Sequence, residues 1–219
     1  MIMWRGCGRG VPCGRRGRGA AGRGLGYSGS MARMRGVVER PEGLVHQPDL
    51  LDEAEERSLL TAVEAMPLHE VRMHGQVARR TVRHFGFDYG YESWRLTPTD
   101  PLPEEFWWLR DRCAHLAGLR PESLAQTLIA RYPPGATIGW HRDAPMFGPS
   151  VVGVSLLSSC LMRFQRRVGE ERRVYELELA PRSAYVLSGA ARSAWQHSIP
   201  PVPELRYSIT FRTLRDPAR

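Results

Sequence analysis

The second half of the chain is divided into many short β-prone segments, and this feature most constrains its fold. From residue 123 onward, glycines and prolines separate short runs that are rich in Val, Ile, Tyr and Phe. Short runs of this kind with turn signals between them are typical of β-sandwiches and barrels. The pattern predicts strands at 126–132, 138–142, 150–157, 160–166, 172–179, 183–188, 194–198 and 206–213.

Two helical patterns precede these strands. Apolar residues recur at helical spacing within 48–65 and within 103–118. Asp49 or Asp52 is placed to cap the first helix, and Gly118 is placed to end the second. About eight strands behind two helices predict a mainly β fold. We therefore expect a double-stranded β-helix (jelly roll) with its helices packed on one side.

The positive charge of the chain is concentrated at its N-terminus. The chain has 31 basic and 23 acidic residues, and eight of the arginines lie in the Gly-rich segment 1–36, which has no acid. The remaining 23 basic residues balance the 23 acidic ones. We expect 1–36 to be a disordered extension and 37–219 to be a single domain. A nucleic-acid-binding arm, a transit peptide and translation from an upstream start all remain open for this extension.

The pattern of cysteines and the length of the apolar runs indicate where in the cell the protein is expected. The four cysteines form no CxxC pair, and no apolar run reaches the roughly 18 residues of a membrane-spanning helix. We expect reduced thiols, a cytoplasmic location, no membrane contact and a monomeric state.

The segment IGWHRDAPMFG, residues 138–148, contains a candidate metal site. On an extended strand His141 and Asp143 point to the same side, and His197 follows 56 positions after His141. Two histidines and one carboxylate are the ligand set of the non-haem Fe(II) oxygenases. The His-x-Asp spacing alone is a weak signal, so its meaning depends on the surrounding residues.

The last predicted strand, RYSITFR, places two arginines on one face. Arg206, Ser208 and Arg212 alternate with Tyr207, Ile209 and Phe211. Two arginines directed into a small barrel are costly unless they meet anions, and a dicarboxylate would satisfy both. Tyr132, at the end of an earlier strand, is a candidate hydroxyl donor to the same ligand. Arginines that reach solvent from a strand end are the alternative.

These motifs together resemble one enzyme family. The stretches ARYPPGATIGWHRDAPMFG, VVGVSLLS, MRFQRR, APRSAYVLSG, QHSIPP and RYSITFR are similar to the catalytic core of the AlkB family of Fe(II)- and 2-oxoglutarate-dependent dioxygenases. The resemblance implies Fe(II) as cofactor, with 2-oxoglutarate and O2 as co-substrates. It implies that His141, Asp143 and His197 hold the iron, and that Tyr132, Arg206, Ser208 and Arg212 bind 2-oxoglutarate.

The segment 79–94 mixes arginines with aromatic residues, which suits base stacking and phosphate pairing. A β-hairpin with a buried aromatic face explains the same composition equally well. The segment resembles the nucleotide-recognition lid of the AlkB family. Together with the Trp of the metal segment, it supplies the candidate substrate contacts, which are Arg80, Arg83, Phe87, Tyr89 and Trp140.

The resemblance implies oxidative dealkylation of N-alkylated bases in DNA or RNA, which is alkylation repair with alkylated nucleic acid as the partner. The same chemistry on modified tRNA uridines or on a protein is the first alternative. A non-catalytic nucleic-acid-binding module is an alternative of another class.

Overall fold

The computed structural model describes residues 35–73, 76–90 and 95–215, which belong to one compact unit, Met34–Arg219. The predicted disorder of 1–36 lies almost wholly outside these residues, as do Tyr91 and Trp94 of the Arg/aromatic segment. The fold is mainly β. Its strands are β1 Val37–Val38, β2 Leu44–Gln47, β3 His69–Met73, β4 Gln76–Phe85, β5 Phe87–Tyr89, β6 Leu96–Pro98, β7 Gln126–Tyr132, β8 Ile138–His141, β9 Phe147–Leu156, β10 Cys160–Val168, β11 Glu171–Leu179, β12 Ala184–Leu187, β13 Gln196–Ile199 and β14 Arg206–Leu214.

Three α-helices accompany the strands in the described ranges: α1 Glu53–Glu64, α2 Trp107–Leu116 and the short α3 Gly189–Ser193. The first two helices are both shorter than predicted from the sequence. The first begins at Glu53 because Asp52 caps it, and Asp49 lies in a left-handed turn with φ 51°. In the second, residues 104–106 form a 3-10 turn before α2 begins. No helix of the described ranges has the length and apolar character needed to cross a bilayer.

Two sheets form the predicted jelly roll. The larger has the order β2-β12-β9-β14-β7-β4-β3, and the smaller has the order β1-β11-β10-β13-β8. Leu128 and Tyr132 of the larger sheet and Met162 and Phe164 of the smaller one belong to the same buried cluster. The two sheets therefore share one apolar interior, as aligned sandwiches do.

Strand β14 lies in the middle of the larger sheet, between β7 and β9. Its residues Tyr207, Ile209 and Phe211 pack with Leu59 of α1 and Leu109 of α2 in a second buried cluster. The alternation predicted for RYSITFR is thus confirmed. The helices cover one face of the larger sheet, and Arg206 and Arg212 are directed to the other face, between the sheets.

Glu56 of α1 is a buried anchor for two strained turns. One of its oxygens accepts a hydrogen bond from the Leu157 N–H at 2.9 Å, and the other accepts one from Arg182 at 3.0 Å. Leu157 and Arg182 both have left-handed backbones, with φ of 74° and 66°. Non-glycine residues adopt that conformation only where neighbouring contacts hold it.

We expect Glu56→Ala to lower the free energy of unfolding by about 1–3 kcal/mol, because the Leu157 N–H loses its acceptor. Urea denaturation measures the difference. Glu53→Ala is the matched control on the same helix, since the Glu53 side chain is 76% exposed. The control should stay within about 0.5 kcal/mol of the unmodified protein. Equal losses in the two variants would contradict a specific anchoring role for Glu56.

Candidate functional site: a His/Asp/His cluster between the sheets

Three predicted metal ligands meet at the edge of the smaller sheet. In the antiparallel pairing of β8 with β13, His141 lies directly opposite His197, and the two ring centroids are 4.2 Å apart. One oxygen of Asp143 lies 3.7 Å from Nε2 of His197. The prediction placed His141 and Asp143 on one strand. In the structure β8 ends at His141, and Asp143 lies in the loop that follows.

Arg192 of α3 holds this loop in place. Its buried guanidinium donates hydrogen bonds to four carbonyl oxygens, two in the loop that carries Asp143 and two at the start of β9. These are the oxygens of Asp143 at 3.2 Å, Ala144 at 3.0 Å, Phe147 at 3.0 Å and Gly148 at 3.2 Å. One side chain thus replaces the regular pairing that the loop lacks. The sequence interpretation did not identify Arg192, because its role depends on how α3 packs beneath the loop.

Burial and charge set the protonation of the three side chains. Burial lowers the pKa of His141 and lowers that of His197 to about 3. Burial alone would raise the pKa of Asp143, but the charges of Arg212 and Arg192, together with those of the two histidines when they are protonated, outweigh it and hold that pKa well below its usual range. At neutral pH the site therefore consists of two neutral imidazoles and one carboxylate, which is the state that binds a divalent cation.

The donor set fits a divalent transition metal. Nδ1 of His141 donates to the Gly139 carbonyl at 2.9 Å, which leaves Nε2 with its lone pair available. Among residues 35–73, 76–90 and 95–215, no group of three or more His, Cys, Asp or Glu side chains has the spacing of a metal site. His141, Asp143 and His197 are of the residue types that form a facial Fe(II) triad, and they lie near one another.

Arg206 is a second polar feature between the sheets, and its charge is suited to binding an anion. Arg206 is 1% exposed, and its Nε and Nη1 atoms have no hydrogen-bond partner among the described residues. Its Nη2 donates to the Ser155 hydroxyl at 3.0 Å, and its guanidinium lies 4.9 Å from the centre of the Tyr132 ring. A buried cation with two nitrogen atoms that have no partner fits a carboxylate of a ligand. Ser155 was not among the predicted residues. Ser208, which was predicted, lines a cavity that Arg206 also lines.

Arg212 connects the metal cluster to the sheet. Its Nε donates to Asp143 at 3.0 Å, and its Nη1 donates to the Gln126 side chain at 3.0 Å. Gln126 is opposite Arg212 in the pairing of β7 with β14 and is fully buried. Its amide lies 3.4 Å from Nδ1 of His84. His84, which was not among the candidate site residues, therefore belongs to the surroundings of the site.

One cavity of about 1050 Å³ is lined by the three proposed metal ligands and by Arg206, Arg212 and His84. Three of the candidate substrate residues line it: Arg80, Tyr89 and Trp140. The other two, Arg83 and Phe87, are not among its lining residues. Arg83 alternates with Arg80 along β4 and so points to the opposite face, where it pairs with Asp100. Phe87 lies in β5, which pairs with β6.

The chain matches the family model described as the 2OG-Fe(II) oxygenase superfamily over residues 43–212. It belongs to that superfamily. The match covers every residue of the cluster described above and both sheets except β1 and the end of β14. Fe(II), 2-oxoglutarate and O2 are accordingly the cofactor and co-substrates of this AlkB-like, 2-oxoglutarate-dependent dioxygenase.

Relatives of known name are of the AlkB type. The chain is 29% identical over 178 residues to an Arabidopsis thaliana protein named as an alkylated DNA repair protein ALKBH8 homolog, covering 69% of this chain and 49% of that protein. It is 28% identical over 161 residues to the Mus musculus tRNA (carboxymethyluridine(34)-5-O)-methyltransferase ALKBH8, covering 70% of this chain and 23% of that protein. The oxygenase thus spans about half the length of the first relative and about a quarter of the second.

Solved structures share the fold at low identity. OsALKBH1 superposes with a TM-score of 0.64 at 14% identity, covering 80% of this chain and 98% of that one. A Pseudomonas putida prolyl-4-hydroxylase superposes with a TM-score of 0.57 at 15% identity, covering 79% and 93%. These similarities support the jelly-roll architecture of the oxygenase.

Proposed function

We propose that this oxygenase oxidises an alkyl group carried by a base of a nucleic acid strand. The observation that carries the proposal is the single cavity in which the His/Asp/His cluster, the buried Arg206 fork and an Arg/aromatic wall meet. The first two features serve the oxidation chemistry, and the wall serves a substrate that is both aromatic and anionic.

In this proposal each residue has a defined task. His141, Asp143 and His197 hold Fe(II), Arg206 binds one carboxylate of 2-oxoglutarate, and Arg212 orients Asp143 while facing the other carboxylate. When bound, Fe(II) and 2-oxoglutarate activate O2, so that one oxygen atom enters succinate as CO2 leaves and the other enters a substrate C–H bond. Where the hydroxylated carbon is attached to nitrogen, the C–N bond then breaks and yields the free base and an aldehyde.

The walls of the cavity suit an unstacked base. Trp140 is 37% exposed and Tyr89 is buried, and both line the cavity, where together with Arg80 they form its Arg/aromatic wall. Chemistry on a base inside a duplex requires that the base leave its stack, and aromatic side chains offset part of that cost. Arg80 in the same wall adds attraction for the phosphates.

N-alkylated bases of DNA are one candidate substrate, in agreement with the name of the Arabidopsis relative. Modified uridines of tRNA are the second candidate, in agreement with the name of the mouse relative. That name describes a much longer protein, so we do not transfer its methyltransferase activity to this chain. A protein substrate and a purely nucleic-acid-binding role are weaker alternatives, because neither uses both the aromatic wall and the Arg206 fork. A cytoplasmic location and a monomeric state stay predictions.

Purified protein with Fe(II) and 2-oxoglutarate should form succinate faster when an oligonucleotide with a suitable modified base is added. The measurement combines succinate release with the mass of the oligonucleotide, over a panel of N-methylated bases and 5-substituted uridines in DNA and RNA. Stimulation by RNA substrates alone would favour the second candidate. Oligonucleotide binding that persists in His141→Ala, without stimulation by any member in the unmodified protein, would contradict the proposed oxidation.

A further inference from the structure

The cavity floor between the two arginines of β14 is built from short side chains. Between Arg206 and Arg212, β14 directs only Ser208 and Thr210 to the cavity. The residue of β9 opposite Thr210 is Gly153, which has no side chain at all. A ligand that lies between the two arginines therefore passes over a shallow depression in the larger sheet.

Tyr185 of β12 reaches into this depression from the neighbouring strand. It is paired with Gly153 of β9, and it lines the cavity. A Cβ atom at position 153 would overlap the end of the Tyr185 side chain, including the hydroxyl oxygen. The end of the phenol therefore lies over the backbone of Gly153, where a side chain of β9 would otherwise stand.

The Tyr185 hydroxyl is available as a donor to a ligand. Among the described residues, none accepts a hydrogen bond from it. Burial, followed by the charge of Asp143, raises the pKa of the hydroxyl against the opposing charges of Arg212 and Arg206. The hydroxyl therefore keeps its proton at neutral pH. The electrostatic effects of these three groups indicate that it faces the same space as they do.

We infer that Tyr185 is a further binding residue for 2-oxoglutarate, and that its hydroxyl donates a hydrogen bond to a carboxylate oxygen of the co-substrate between Arg206 and Arg212. The inference rests on the proposed function only for the roles of the two arginines. A hydroxyl that meets a carboxylate makes a charge-assisted hydrogen bond, which is stronger than one between neutral groups. Gly153 is the second part of the arrangement, because only a residue without a side chain leaves room for the phenol.

Tyr185→Phe removes the hydroxyl and keeps the ring. We expect the Kd for 2-oxoglutarate to rise about tenfold, because a hydrogen bond to a charged group is lost. Titration calorimetry with Mn(II) in place of Fe(II) measures this Kd without turnover. The Kd for Mn(II) alone should stay within about twofold, since Tyr185 is not a proposed metal ligand. The Tm without 2-oxoglutarate should not fall, since no protein group loses a hydrogen bond.

Tyr175→Phe is the matched control. Tyr175 of β11 is also partly buried, and its ring packs against that of Phe164, but it is not among the residues that line the cavity. Loss of its hydroxyl should leave the Kd for 2-oxoglutarate within about twofold of the unmodified protein. A tyrosine that only fills the interior would behave in the same way, so the two variants distinguish ligand binding from packing.

A double-mutant cycle with Gly153 tests the placement of the phenol. Gly153→Ala adds a methyl group where the end of the Tyr185 side chain lies, so it should displace the hydroxyl and raise the Kd for 2-oxoglutarate about tenfold or more. In a Tyr185→Leu background no phenol is displaced, and the same Ala should change the Kd by less than about twofold. Thermal melting confirms that each variant is folded. If Gly153→Ala does not fold, the comparison of Tyr185→Phe with Tyr175→Phe decides.

Two results would overturn the inference. One is a Kd for 2-oxoglutarate in Tyr185→Phe that equals that of the control, and the other is an effect of Gly153→Ala that is the same with and without the phenol. Both leave the proposed role of Arg206 intact, because Arg206→Met tests that role separately. If Arg206→Met also binds 2-oxoglutarate with full affinity, the co-substrate assignment within the proposed function fails, and the inference fails with it.

Discussion

Asp143→Asn should abolish substrate-stimulated succinate formation, with a loss on the order of 10³-fold or more in kcat/KM. Asp143 supplies the single negative charge of the proposed iron site, and Asn removes that charge while keeping the size of the side chain. Loss of a group that only supports a metal ligand already costs about 10–100-fold, so loss of the anionic ligand itself is expected to cost more. Arg212 would in addition lose its charged partner at 3.0 Å.

A measurement of metal affinity distinguishes the role of Asp143 as a metal ligand from a general effect on folding. Titration with Co(II), followed by its visible absorption, should show tight binding in the unmodified protein and weak binding in Asp143→Asn. Asp111→Asn is the matched control, since Asp111 is an exposed residue of α2 that pairs only with its neighbour Arg110 in the described contacts. Metal affinity in Asp143→Asn that equals that of the control would remove Asp143 from the ligand set.

The sequence predicted the elements of this site that depend on local periodicity. Alternation along RYSITFR placed Arg206 and Arg212 between the sheets, and the structure confirms that placement. That inference succeeds because a strand has a period of two whatever it packs against. His141 and Asp143 also meet in one cluster, but Asp143 lies in the loop after β8, so the period of a strand does not explain its position.

Residues that act across the fold were missed. Gln126 meets Arg212 only through the register of β7 with β14, and Arg192 reaches its four carbonyls only through the packing of α3. His84 carried a usable signal, since it lies four positions after Arg80 and therefore on the same face of β4. The same alternation would have excluded Arg83, which lies three positions after Arg80. Pairing register and loop packing are properties of the folded chain that no local pattern contains.

Gly153 is another residue whose contact partner could not be predicted from the local sequence pattern. A Cβ atom at this position of β9 would overlap the side chain of Tyr185, which lines the cavity. The absence of a side chain at Gly153 therefore lets the ring lie against the strand and leaves the cavity open. A glycine within a strand pattern indicates a close approach, but the partner is visible only in three dimensions.

Arg206→Met should raise the KM for 2-oxoglutarate by about 100-fold or more while making the protein without 2-oxoglutarate at least as stable. The guanidinium is 1% exposed with two unused nitrogen donors, so its charge is only partly compensated until a carboxylate arrives. Replacing a poorly compensated buried charge by an apolar side chain of similar length is often neutral or stabilising. The same replacement removes the charge-assisted fork that binds the ligand. Arg206 thus favours ligand binding at the expense of stability.

Thermal melting measures both halves of this prediction. In the unmodified protein with Mn(II), 2-oxoglutarate should raise Tm in proportion to its affinity, and in Arg206→Met this shift should vanish while the starting Tm does not fall. Arg206→Lys retains the charge without the planar fork and should recover only part of the shift. Arg120→Met, at an exposed position, is the control and should keep the full shift. A large fall in Tm without 2-oxoglutarate would instead mean that the Ser155 and Tyr132 contacts already compensate the charge, and that Arg206 stabilises the interior in its own right.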